Sequence, residues 1–107
     1  MPEKTNTILV VDDDKTVIEQ LVTYFRRCGY EPIATANPSI VEQTLANFEV
    51  QLILLDLRME RLNGYDVLKN LRDKGIKTPV LIITAYYDDE KERLREIGIT
   101  EADVIPK

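Results

Sequence analysis

The sequence predicts an α/β domain built on a parallel sheet, and two observations carry that expectation. Five short apolar blocks recur, at residues 8–11, 32–34, 52–55, 80–83 and 104–105, and segments of helical period separate them. Three of the blocks, Ile8-Leu9-Val10-Val11, Leu52-Ile53-Leu54-Leu55 and Val80-Leu81-Ile82-Ile83, are unbroken aliphatic tetrads. A strand covered on both faces needs such a run, whereas a strand with one wet face alternates. These three are therefore read as central strands, joined to their neighbours by right-handed crossovers.

The helical segments follow in order. Val17, Leu21, Phe25 and Cys28 recur about one turn apart and Gly29 follows as a C-cap, so the first helix spans residues 15–28 and packs the Cys28 thiol on its apolar stripe. Asn37-Pro38 supplies an N-cap and a proline for the first turn of the second helix, whose buried face is Val41, Leu45 and Phe48. Gly64 precedes a third, with a stripe of Val67, Leu68 and Leu71 ending near Gly75. The fourth, residues 88–97, carries only Leu94 and Ile97 as large apolar residues and should be loosely held. Asp89 and Arg93, four apart on it, form a pair contributing about 0.2–0.5 kcal/mol.

Composition narrows the chemistry. The 107 residues are 44% hydrophobic and 31% charged, enough for one domain with a core and too few for two. No apolar run approaches the roughly 20 residues of a membrane span, and the first residues lack a signal-peptide pattern, so a cytoplasmic location is expected. Fourteen basic against 19 acidic side chains give a net charge of −5, which argues against direct binding to nucleic acid. There is no histidine, which removes the usual zinc ligand and the usual proton shuttle. Cys28 stands alone, so no intrachain disulfide forms.

Parallel sheets bind ligands beyond the carboxyl ends of their strands. At those ends stand Asp12-Asp13-Asp14 after the first block, Asp56 after the third, Thr84 after the fourth and Lys107 after the fifth. Carboxylates about 4 Å apart repel by about 4 kcal/mol at an effective dielectric near 20, so the group calls for a divalent cation. Mg²⁺ suits it: a hard ion that commonly joins one or two carboxylates to a phosphate. Helix capping needs only one of the three consecutive aspartates. Asp56 closes an aliphatic strand with no helix immediately after it, and an aspartate there can accept a phosphoryl group as an acyl phosphate. Thr84 and Lys107 would contact the remaining phosphoryl oxygens.

With these residues in view, the chain resembles the receiver domain of two-component response regulators over nearly its whole length. The resemblance rests on Ile8-Leu9-Val10-Val11-Asp12-Asp13-Asp14, on Leu54-Leu55-Asp56-Leu57-Arg58-Met59 with Asn63-Gly64 following, on Ile83-Thr84-Ala85, and on Lys107. It implies a flavodoxin-like fold, a five-stranded parallel sheet of order 2-1-3-4-5 with helices on both faces. It further implies that Asp56 accepts phosphate from the phosphohistidine of a partner kinase, that Asp12, Asp13, Asp56 and the Arg58 backbone carbonyl hold Mg²⁺, and that Thr84 and Lys107 engage the phosphoryl group. The product would act on an output domain or effector, and the chain would be no enzyme in the metabolic sense. Residues 1–107 would form one receiver domain lacking its fifth helix, with an open sheet face that recruits a second copy.

Two rival readings remain at this point. Asp12-Asp13-Asp14-Lys15-Thr16 also fits the Asp-x-Asp-x-Thr pattern of haloacid-dehalogenase-type phosphatases, with Asp12 as nucleophile. That leaves Asp56 without a task. The other is a receiver-like module that binds partners without being phosphorylated.

Overall fold

Each aliphatic tetrad becomes an interior strand. The computed structural model describes residues 6–57, 59, 63–84, 87–99 and 103–106. In chain order the elements are β1 (Thr7–Val11), α1 (Lys15–Arg27), β2 (Glu31–Thr35), α2 (Pro38–Asn47), β3 (Val50–Asp56), α3 (Gly64–Asp73), β4 (Val80–Thr84), α4 (Tyr87–Glu96) and β5 (Val104–Pro106). The sheet is parallel, of order β2-β1-β3-β4-β5, as the resemblance implied. β1, β3 and β4 occupy its interior. Pro32 lies on β2, an edge strand, where a missing N–H is tolerated.

Alternation along the strands sorts their side chains onto two faces. Leu9, Val11, Ile53, Leu55, Val80 and Ile82 meet Val41 of α2, Val67, Leu68 and Leu71 of α3, and Leu94 of α4 in the larger cluster. Ile8, Val10, Leu54 and Ile83 face the other way, toward Leu21 and Phe25 of α1. Helices thus cover both faces, unequally: α3 buries four residues, whereas α1 buries none. Among the described residues, no helix is long and apolar enough to cross a membrane.

Local chemistry explains the helix ends. Asn37 and Asn63 accept hydrogen bonds from the Ser39 and Tyr65 N–H groups, each at 2.9 Å, and so satisfy donors that the first turns of α2 and α3 leave open. Gly29 stops α1 with φ of 90°, a conformation costly for any residue with a Cβ. Two expectations are corrected here. Cys28 is the exposed C-cap of α1 rather than a packed thiol, because the helix ends one residue earlier. Phe48 is 55% exposed, because α2 ends at Asn47 and the extended backbone of Phe48 carries its ring away from the Val41 face.

A polar clamp joins α2 to α3. Glu42 accepts from Lys74 Nζ at 2.6 Å and from Asn70 Nδ2 at 2.8 Å. These hydrogen bonds, Lys74 first, hold the Glu42 carboxyl below the ordinary glutamate value. A carboxylate with a depressed folded-state pKa stabilises the fold above its unfolded value, and that contribution fades as pH falls through the folded value. Glu42→Gln should therefore lower the urea midpoint slightly at neutral pH and leave it unchanged in acid, below the depressed value. An equal loss at both pH values would contradict this origin. The effect is small, since the pair is exposed.

Candidate functional site

Parallel register places the carboxyl ends of β1, β3 and β4 side by side. Val11 pairs with Leu55, so Asp12 and Asp56 are next in line on adjacent strands, and Asp56 pairs with Ile83, one residue before Thr84. Asp12, Asp56 and Thr84 are buried, at 1%, 3% and 1% exposure. Asp13 is exposed beside them. One carboxylate oxygen from each of Asp12, Asp13 and Asp56 lies within 4.8 Å of the others.

The three consecutive aspartates divide their work. Asp14 Oδ1 accepts from the N–H groups of Thr16 at 2.9 Å and Val17 at 3.3 Å, capping α1. Asp12 Oδ1 accepts from the Asp14 N–H at 2.9 Å, which orients the Asp12 carboxylate.

At this separation each ionised pair repels by about 3–4 kcal/mol at an effective dielectric near 20. Grouping two buried carboxylates and one exposed carboxylate at the mouth of an apolar sheet favours a cation among them. The donors are all hard oxygens, and three of them leave room for further oxygen ligands, which fits Mg²⁺. An ion held there would stand beside a buried carboxylate, Asp56, a group able to act as a nucleophile.

The Leu57 N–H reaches the Ile83 carbonyl at 3.4 Å, and the Leu57 carbonyl accepts from the Gly64 N–H at 2.9 Å. A Cβ on Gly64 would overlap the Asp56 backbone carbonyl oxygen and come within 2.8 Å of Leu57 Cα. Gly64 is thus what lets the start of α3 rest on the strand end carrying Asp56. In the sequence Gly64 stands at the head of the third helix and within the Asn63-Gly64 motif, and neither marks its close approach to Asp56. Arg58 and Lys107, expected to serve the metal and the phosphoryl group, lie outside the described residues. Pro106, the last residue of β5, pairs with Thr84.

Residues 8–107 match the family model described as the response regulator receiver domain. Regulatory protein AtoC of Escherichia coli is 34% identical over 85 residues, which cover 79% of this chain and 18% of that protein. Response regulator SaeR of Staphylococcus aureus is 30% identical over 78 residues, 73% of this chain and 34% of that protein. The chain thus spans only 18% and 34% of the length of these curated relatives. Among solved structures, the Francisella response regulator 1452 receiver domain superposes with a TM-score of 0.79 at 28% identity, covering 94% of this chain and 83% of that one.

Proposed function

The chain belongs to the response regulator receiver domain family, and on that premise we propose that it is a phosphoacceptor switch in which Asp56 takes a phosphoryl group from a partner histidine kinase or phosphotransfer protein. The observation that carries the reading is the cluster of Asp12, Asp13 and Asp56 within 4.8 Å, with Asp56 buried at the end of an interior strand. An Asp56 carboxylate oxygen attacks phosphorus, an O–P bond forms, and the donor's N–P bond breaks with its electron pair left on nitrogen. Asp12, Asp13, Asp56 and the Arg58 carbonyl would hold Mg²⁺. Bound there, the ion neutralises the carboxylates and polarises a phosphoryl oxygen. The Thr84 hydroxyl and the Lys107 ammonium would donate to the other phosphoryl oxygens. The added charge and acceptor oxygens then change the surface near α4 and signal to an output domain or effector.

This reading makes residues 1–107 a regulatory unit that assists its own phosphorylation, working in the cytoplasm and without direct contact to nucleic acid or membrane. A homodimer through the α1 side of the sheet belongs to it, supported by the half-buried Leu52, Leu81, Leu21 and Phe25 on that face. Sedimentation across a dilution series should show mass falling with concentration; a strict monomer throughout removes the dimer.

The test of the switch is chemical. The chain is incubated with an acyl-phosphate donor and Mg²⁺, trapped by borohydride reduction and mapped by mass spectrometry. Label at Asp56 is expected. Label at Asp12 would favour the phosphatase reading, and none at all the binding module. Mg²⁺ binding has its own readout. At ten times its dissociation constant the ion should stabilise the fold by about 1.4 kcal/mol, seen as a rise in thermal midpoint. Asp13 is exposed, so Asp13→Asn should fold normally and lose most of that rise; an undiminished response would remove Asp13 from the ligand set.

A further inference from the structure

We infer that a contact between Tyr65 and Arg93 is a latch that holds α4 in place and through which modification of Asp56 releases it. This rests on Asp56 being the phosphoacceptor. The sequence of α4, Tyr-Asp-Asp-Glu-Lys-Glu-Arg-Leu-Arg-Glu, offers the core little. Leu94 is fully buried, and Ile97 just beyond the helix is half-buried. On the neighbouring surface the Arg93 guanidinium carbon sits 4.1 Å from the centroid of the Tyr65 ring. A guanidinium at that distance is attracted by the negative ring face.

Tyr65 is the second residue of α3 and packs partly buried against the cluster that contains Leu94. Its backbone follows Gly64, which rests on the Asp56 carbonyl oxygen and donates to the Leu57 carbonyl. Asn63 ties the Tyr65 N–H from the other side at 2.9 Å. The ring under Arg93 is therefore joined to the strand end carrying Asp56 by close backbone contacts with no spare space. A new phosphoryl group at Asp56 adds bulk and charge beside Leu57. Any shift of Leu57 must move Gly64 and carry Tyr65 with it, and α4 then keeps Leu94, its one buried side chain among the described residues.

Hydrogen exchange along the full chain tests this, with beryllium trifluoride and Mg²⁺ supplying the modified state and the borohydride trap reporting Asp56 labelling on a parallel sample. Arg93 is exposed, so Arg93→Gln leaves folding intact. It should raise exchange in α4 by roughly 2–5-fold in the unmodified protein, as expected for loss of an exposed cation–π contact, without changing α2. Tyr65→Leu should act in the same direction, Tyr65→Phe should match the wild type, and the double variant Tyr65→Leu/Arg93→Gln should not exceed Arg93→Gln, which also removes the pairing of Arg93 with Asp89. In the wild type, modification should raise α4 exchange toward the Arg93→Gln value. By linkage, Arg93→Gln should also bind beryllium trifluoride roughly 2–5-fold more tightly. Unchanged α4 exchange in Arg93→Gln, additive effects in the double variant, or a full wild-type increment on modifying Arg93→Gln would each overturn the latch. If the wild type takes no label at Asp56, the phosphoacceptor reading itself fails, and the latch's role in switching falls with it.

Discussion

Asp56→Asn should abolish phosphoryl uptake altogether, leaving no borohydride-trapped label above background. An amide oxygen or nitrogen at this position is a far weaker nucleophile than a carboxylate, and the substitution also removes one of three anionic oxygens grouped within 4.8 Å. Asp56→Glu separates nucleophilicity from position. It keeps the charge and moves the reacting oxygen by more than about 1 Å, a displacement able to cost about 100-fold in rate. Uptake at that reduced rate, mapped to residue 56, is the expected result. Wild-type label in Asp56→Asn, mapped to Asp12 or Asp13, would transfer the chemistry to β1 and end the proposal.

The second large effect is expected at Gly64. At an ordinary helical position, glycine to alanine adds about 1 kcal/mol of helix preference. Here packing reverses the sign, because the new Cβ would overlap the Asp56 carbonyl oxygen and crowd Leu57 Cα, both on backbone that cannot swing aside as a side chain can. Overpacking of this kind costs about 1–3 kcal/mol, so once the helix preference is subtracted Gly64→Ala should be destabilised in urea by up to about 2 kcal/mol. The relaxation that relieves the clash must displace the start of α3 or the end of β3. Labelling of the still-folded protein should then slow by about 100-fold for each ångström by which Asp56 moves. A Gly64→Ala protein that is more stable than wild type and labels at the wild-type rate would show that α3 and Asp56 are not in close register.

Much of this was legible before folding was considered. The tetrads at 8–11, 52–55 and 80–83 marked β1, β3 and β4 as interior strands because only a strand covered on both faces can place consecutive aliphatic residues out of water. The stripe of Val67, Leu68 and Leu71 is buried as its spacing predicted. Asn37-Pro38 starts α2 and Gly29 stops α1 for equally local reasons. Placing Asp12, Asp56 and Thr84 at strand ends required only the blocks and their direction. Their order across the sheet came from resemblance to a family rather than from periodicity.

Ends of elements were less legible. Phe48 and Cys28 continue a helical spacing in the sequence, yet each stands just past the last helical residue, where the backbone turns and the side chain leaves the buried face. Asp12, Asp13 and Asp14 are chemically identical, and nothing local distinguishes the one that caps α1 from the two that join Asp56. The pairing of Val11 with Leu55 decides it by placing Asp12 beside the end of β3, while Asp14 lies over the first turn of α1. Strand identity, helix phase and the reserve of carboxylates are properties of neighbours along the chain, and the sequence determined them by itself. The sharing of labour among those carboxylates, the need for no side chain at residue 64 and the meeting of Tyr65 with Arg93 arise between segments distant in sequence. Only the packed tertiary structure brings those atoms within range of one another's charge and volume.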